Sequence, residues 1–156
     1  MEFPIDETHR RLAYLFQNAR FLIERANELQ SKLFMKALIT ENAEKELMRQ
    51  ADVQMEKIIF EILEREFEDD SFLSEEKGFV QGKGNFRWVI DPIDGSMNFI
   101  RGIPLFAIAI AIEHRETPVC GFVILPALGS VYSAIYGEGA YKNGNKITAS
   151  KTEELQ

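Results

Sequence analysis

The sequence predicts an α/β protein (α+β by some schemes) in which two N-terminal helices pack on a mixed, mostly antiparallel sheet. Three observations point there. Apolar residues recur every three or four positions through the first part of the chain, as they do on helices with one buried face. After Phe67 the period changes to short β-rich runs broken by glycines. Further on, Asn143-Gly144 stands between Ala140-Tyr141 and Lys146-Ile147, which reads as a tight hairpin turn whose central residues need positive φ.

The first helix is carried by Leu12, Leu15, Phe16, Ala19, Leu22, Ile23, Ala26 and Leu29, with Pro4 and Asp6 suited to its start. Leu47, Met48, Ala51, Met55, Ile58, Ile59, Ile62, Leu63 and Phe67 carry the second, with Glu and Lys on the opposite face. Residues 36–45 are expected to connect the two, and Met35, Met48 and Met55 read as core filler. Strands are expected at residues 71–73, 86–90, 105–112, 119–125 and 131–136, the first two joined by a mobile loop holding Gly78, Gly82 and Gly84. The third run is apolar almost throughout, as a strand covered on both faces would be.

With 156 residues, 46% of them hydrophobic and 28% charged, the chain fits one globular domain. Its net charge of -7 argues against nucleic acid or an anionic membrane as a partner. A phosphorylated small molecule would be repelled too, so any phosphate-handling function requires a divalent cation. Cys120 is the single cysteine; it cannot form an intrachain disulfide and reads as packing in a reducing interior. No basic segment followed by an apolar stretch opens the chain, and the apolar run at residues 104–112 is far shorter than the roughly 20 residues of a spanning helix. A cytoplasmic location is expected. His9 and His114 lack a partner at ligand spacing and read as surface residues rather than zinc ligands.

The chemistry concentrates at Asp91-Pro92-Ile93-Asp94-Gly95-Ser96, directly after the strand at residues 86–90. Asp-Pro-x-x-Gly is also a good β-turn, so the neighbours decide. Glu75-Glu76 follows another short strand and is expected at a sheet edge, and Asp52 flanks the buried face of the second helix. Carboxylates converging this way repel one another, and magnesium, a hard cation seeking oxygen ligands, resolves the conflict. Asp91 is suited to bridge two metals, with the carbonyl of Ile93 as a further oxygen ligand. Gly95 and Ser96 begin a helical turn whose N–H groups suit phosphate, and Ser96 with Asp52 forms a candidate pair for activating water. Arg101 suits phosphate, a partner subunit or a plain surface ion pair.

These residues resemble the inositol monophosphatase and archaeal-type fructose-1,6-bisphosphatase family. Residues 88–99 are similar to its W-x-x-D-P-x-D-G-[ST]-x-N-F signature over its whole length, Phe72 to Glu76 to its F-x-G-E-E element, and Ala51-Asp52 to the end of its helical motif. Residues 121–126 and 137–144 resemble its G-V-x-x-x-P and G-x-G-A-x-x-N-G runs. The resemblance implies a phosphomonoesterase of layered α/β architecture, often dimeric and lithium-sensitive, using two or three Mg2+ ions, with Mn2+ as a substitute. By matching position it implies Glu75, Asp91, the Ile93 carbonyl and Asp94 as metal ligands. Asp52, Glu75 and Ser96 take catalytic roles, and the backbone of Gly95 and Ser96 holds substrate phosphate.

Met48-Arg49 stands where the family usually has Val-Thr, Ser74 where it has Gly, and Ser96 where Thr is commoner. The family's second domain, which supplies a further aspartate and most sugar contacts, has no counterpart here. Residues 1–156 are therefore expected to form an N-terminal metal- and phosphate-binding domain with the C-terminal domain absent. The expected function is hydrolysis of a sugar or inositol phosphate, of the inositol-1-phosphate phosphatase type, by a homodimer. Fructose-1,6-bisphosphatase or dual-specificity activity is the alternative, and an inactive metal-binding half-domain working with another chain is a third.

Overall fold

The computed structural model describes residues 4–39 and 42–152. Helix α1, Ile5–Ile39, is longer than the periodicity predicts and takes up the first four residues of the expected connection. That segment has no glycine or proline to stop it. Its buried stripe is Thr8, Arg11, Leu15, Ala19, Leu22, Ala26, Leu29 and Leu33, a run of three- and four-residue steps. Met35, read as core filler, falls off this stripe and is 60% exposed. Helix α2, Glu44–Glu66, buries Leu47, Ala51, Met55, Glu56, Ile59, Phe60 and Leu63 and packs along α1.

One sheet contains all eight strands of the described residues: β1 Ser71–Ser74, β2 Gly78–Val80, β3 Phe86–Asp94, β4 Ala107–His114, β5 Thr117–Leu125, β6 Ser130–Ile135, β7 Gly139–Lys142 and β8 Asn145–Ile147. Their order is β2-β1-β3-β4-β5-β6-β7-β8. Every pairing is antiparallel except β1 with β3, which makes the sheet mixed and mostly antiparallel, as expected. The Asn143-Gly144 turn joins β7 to β8 with φ of 48° and 79°.

Two expectations are corrected. The supposed mobile loop contains β2, which pairs with β1 through a turn at residues 75–77 and becomes the outermost strand. Phe79 and Val80 on β2 are exposed, so neither face gives the periodic burial that marks a strand in sequence. On β4, one face is covered throughout and the other only in part: Ile108, Ile110 and Ile112 are buried, whereas beyond buried Ala107 the opposite face leaves Ala109 and Ala111 half-buried, Ala111 beside a shallow hollow also lined by Val119, Gly121 and Ala134. The alternation on this strand is of size rather than polarity, with isoleucines under the helices and alanines away from them.

The helix layer closes over an aromatic core in which Phe67 and Phe72 both contact Trp88, and Phe72 also meets Phe60. An ion pair lies inside it. Arg11 donates through Nε and Nη2 to the two carboxylate oxygens of Asp70 at 2.8 and 2.7 Å, and Trp88 Nε1 donates to Asp70 Oδ2 at 2.8 Å. The Arg11 guanidinium also sits 3.7 Å from the Phe86 ring centre. Asp70 thus fixes the first residues of the sheet to α1 on one side and to β3 on the other.

Gly82 shows how tightly the β2–β3 loop crosses this anchor. A Cβ there would stand 2.3 Å from the Asp70 carbonyl oxygen, so the backbone itself would have to shift. Gly82→Ala is expected to cost about 1–3 kcal/mol, the range of core overpacking, whereas Gly78→Ala, with open space around it, costs only the strain of its positive φ. Urea midpoints for both variants measure the difference, and equal losses would contradict it.

Candidate active site

The parallel pairing of β1 with β3 creates the site. Ser74 stands opposite Ile90 as the last pair of that parallel ladder, so Glu75, just past the end of β1, and Asp91, the next residue of β3, leave the ladder side by side. Parallel strands ending side by side leave a crevice at their C-terminal ends, where ligands of open α/β sheets bind. Glu75-Glu76, expected at a sheet edge, starts the turn from β1, which is internal, to the edge strand β2.

Beyond Asp91, β3 does not end in a simple turn. Its pairing with β4 slips between Asp91 and Asp94, where Asp94 resumes opposite Ala107. Pro92 and Ile93 occupy the slip, buried, and the Ile93 N–H bonds back to the Asp91 carboxylate. Pro92 brings no N–H to the ladder. Asp94 is exposed. Gly95 then turns with φ 91°, and a Cβ there would meet the Leu105 carbonyl oxygen at 3.2 Å. Helix α3, Ser96–Ile100, follows and packs on α2 and α1 through buried Phe99 and Ile100.

Helix α2 packs on β3 and brings Asp52 to this end of the sheet. Burial pushes the Asp52 carboxyl up to about 7, reinforced by the charges of Glu75, Asp91, Glu76 and Glu56. Asp91 is also raised, first by burial and then by Asp94 and Glu75, against the lowering effect of its bond from Ile93. Asp52, Glu75, Asp91 and Asp94 therefore share one electrostatic neighbourhood. Among the described residues, no three Asp, Glu, His or Cys side chains stand close enough to grip a metal as they are; like-charged carboxylates lower their energy by standing apart. The donor set nonetheless fits a hard divalent cation, because it is all oxygen and carries an unrelieved excess of negative charge.

Ser96 lies at the start of α3, half-buried, and among the described residues no hydrogen bond joins it to Asp52. Arg101 forms the plain surface pair, reaching Glu44 at 3.2 Å. His9 bonds Glu138 at 2.8 Å, and burial holds the Cys120 thiol up at about 12, leaving it inert. Ser74, which stands where the family has Gly, has its Oγ buried without a partner among the described residues. One neighbour of the site is not singled out by the sequence. Glu56 is buried one helical turn beyond Asp52, and its position between Met55 and Ile59 on the apolar face was the available signal.

The raised Asp52 carboxyl has a stability consequence. Unfolded, it titrates at its ordinary 3.8; folded, near 7. Between those values the folded state holds the proton more tightly, so stability falls as pH rises through the window and stays low above it. Asp52→Asn removes that loss. Without added metal it should stabilise the protein at pH 8 by about 1–2 kcal/mol, the full shift being discounted for partial solvent screening, and by little at pH 4. Urea midpoints at the two pH values check this, and the same gain at both would refute it.

The model of the inositol monophosphatase family matches residues 11–156. A fructose-1,6-bisphosphatase/inositol-1-monophosphatase of Aquifex aeolicus is 36% identical over 118 residues, covering 76% of this chain and 45% of that protein. An inositol-1-monophosphatase of Mesorhizobium japonicum is 41% identical over 99 residues, covering 63% and 37%. In structure, an extragenic suppressor protein suhB of Bartonella henselae superimposes with a TM-score of 0.73 at 28% identity, covering 92% of this chain and 55% of that one. The matched region thus spans about half the length of these proteins or less.

Proposed function

The chain belongs to the inositol monophosphatase family, and from that premise we propose that the whole protein is a Mg2+-dependent phosphomonoesterase acting on a sugar or inositol phosphate. The observation that supports this most is the parallel register of Ser74 with Ile90, after which Glu75 and Asp91 follow on neighbouring strands, both acting on the Asp52 carboxyl. Magnesium bound there would neutralise the substrate phosphate and polarise water, with two or three ions in the set and Mn2+ as a substitute.

The chain's own residues would do the rest. Glu75, Asp91, Asp94 and the Ile93 carbonyl hold the ions. Asp91 serves both sides, since it lies between Glu75 and Asp94 in the charge network. The first N–H groups of α3, at Gly95 and Ser96, lack partners within the helix and suit a phosphate oxygen. Asp52, kept weakly acidic by burial, takes a proton from attacking water that the Ser96 hydroxyl orients. The same reading extends to a cytoplasmic homodimer; among the described residues no helix is long and apolar enough to cross a membrane.

The double name of the Aquifex aeolicus relative supports fructose 1,6-bisphosphate as a second substrate. The test is phosphate release by the whole protein from inositol 1-phosphate and from fructose 1,6-bisphosphate, with Mg2+ and with chelator. Mg2+-dependent release from either is expected. Metal uptake without release from either substrate would sink the enzyme reading and favour the alternative of a non-catalytic metal-binding half-domain.

A further inference from the structure

The turn that carries Glu75 has little to hold it. Residues 75–77 are exposed and link β1 to the three-residue outermost strand β2. Short exposed hairpins at a sheet edge are marginal unless something fixes them. Here α2 does so from beneath. Glu56 is only 2% exposed, and its Oε2 accepts the N–H groups of Glu76 and Lys77 at 3.2 and 3.3 Å. Lys77 in turn lays its ammonium 3.9 Å from the Phe60 ring centre and 3.8 Å from Glu64 Oε1.

A carboxylate this buried is costly unless hydrogen bonds compensate it. Both N–H groups it accepts belong to the residues directly after Glu75, and bonds to a carboxylate are about twice as strong as neutral ones. Glu56 also lies four residues after Asp52 on the same face of α2. One rigid helix therefore presents Asp52 and sets the height of the Glu75 turn above it.

We infer that Glu56 is a positioning residue, anchoring the turn that carries Glu75 on the same helix as Asp52, so that a cation can draw Glu75 towards Asp52 and Asp91. The inference rests on the reading of Glu75 as a metal ligand. Loss of an outer-shell partner of a metal ligand weakens metal binding roughly 10–100-fold. In the whole protein, Glu56→Ala should raise the Mn2+ dissociation constant measured by calorimetry by about tenfold or more. Glu56→Gln, which keeps one acceptor oxygen in place, should fall between Glu56→Ala and the wild type. Turnover at saturating metal should return close to the wild-type level.

Glu75→Gln combined with Glu56→Ala should bind metal no more weakly than Glu75→Gln alone, because Glu56 acts through Glu75. A Glu56→Ala protein with a lowered Tm and unchanged metal affinity, or a double variant whose losses multiply, would overturn the inference; if Glu56→Ala does not fold, the same comparisons made with Glu56→Gln decide. Wild-type protein that binds Mn2+ but releases no phosphate would sink the phosphatase reading and leave this coupling intact. Wild-type protein that binds no Mn2+ would overturn both.

Discussion

Asp91→Asn in the whole protein is expected to reduce Mg2+-dependent phosphatase turnover by more than roughly 100-fold, beyond the 10–100-fold typical of losing an outer-shell group. Asp91 follows Ile90 at the end of the one parallel pairing, opposite the start of the Glu75 turn, and both Glu75 and Asp94 act on its carboxyl. Asparagine keeps the size and one carbonyl oxygen, so the fold survives while the charge that would bridge two cations is lost. Because the carboxylate repulsion is relieved at the same time, thermal stability without metal should hold steady or rise. Steady-state phosphate release and a melting curve on the same preparation check the two halves, and turnover within a few-fold of the wild type would refute the bridging role.

Asp70→Ala should be the most damaging substitution for stability, at about 3–5 kcal/mol, the cost of removing one partner from a buried ion pair. The Arg11 and Asp70 side chains are 7% and 4% exposed, and Trp88 Nε1 shares the same carboxylate. Truncating Asp70 leaves a buried guanidinium, a buried indole N–H and a cavity together. Asp69→Ala, one residue away and exposed, gives the control and should change stability by no more than about 0.5 kcal/mol. Urea unfolding measures both. A loss under about 1 kcal/mol for Asp70→Ala would mean that the helix layer does not depend on this anchor.

Neither Arg11 nor Asp70 is legible as a pair in the sequence, since 59 residues separate them and each, taken alone, is an ordinary charged residue. Arg11 lies three residues after Thr8 and four before Leu15 on the buried stripe of α1, where periodicity reasoning that counts only apolar residues passes over it. β2 was missed for the opposite reason, because its three residues lie at an open edge and bury no regular face. The end of α1 was placed short because no glycine or proline marks it, and helix length then depends on packing against α2 and α3. Residues whose role is local were the readable ones. The Asn143-Gly144 turn, the acids at 91 and 94 and the glycine at 95 announce themselves because their chemistry or φ demands those residue types in adjacent positions.

The order of residues from Trp88 to Phe99, with Glu75 and Asp52 upstream, already contains the donor types, the spacing and the family of this protein. Side-chain chemistry and backbone geometry over a dozen positions are local properties, and they survive without knowledge of the rest. The meeting of Glu75 with Asp91 is different in kind. It depends on β1 and β3 running parallel with Ser74 opposite Ile90, on β2 passing to the outside, and on Glu56 reaching up from α2 to hold the intervening turn. Register and long-range contact are set by how the hydrophobic faces of helix and sheet fit together, and that fit exists only once the whole chain has folded.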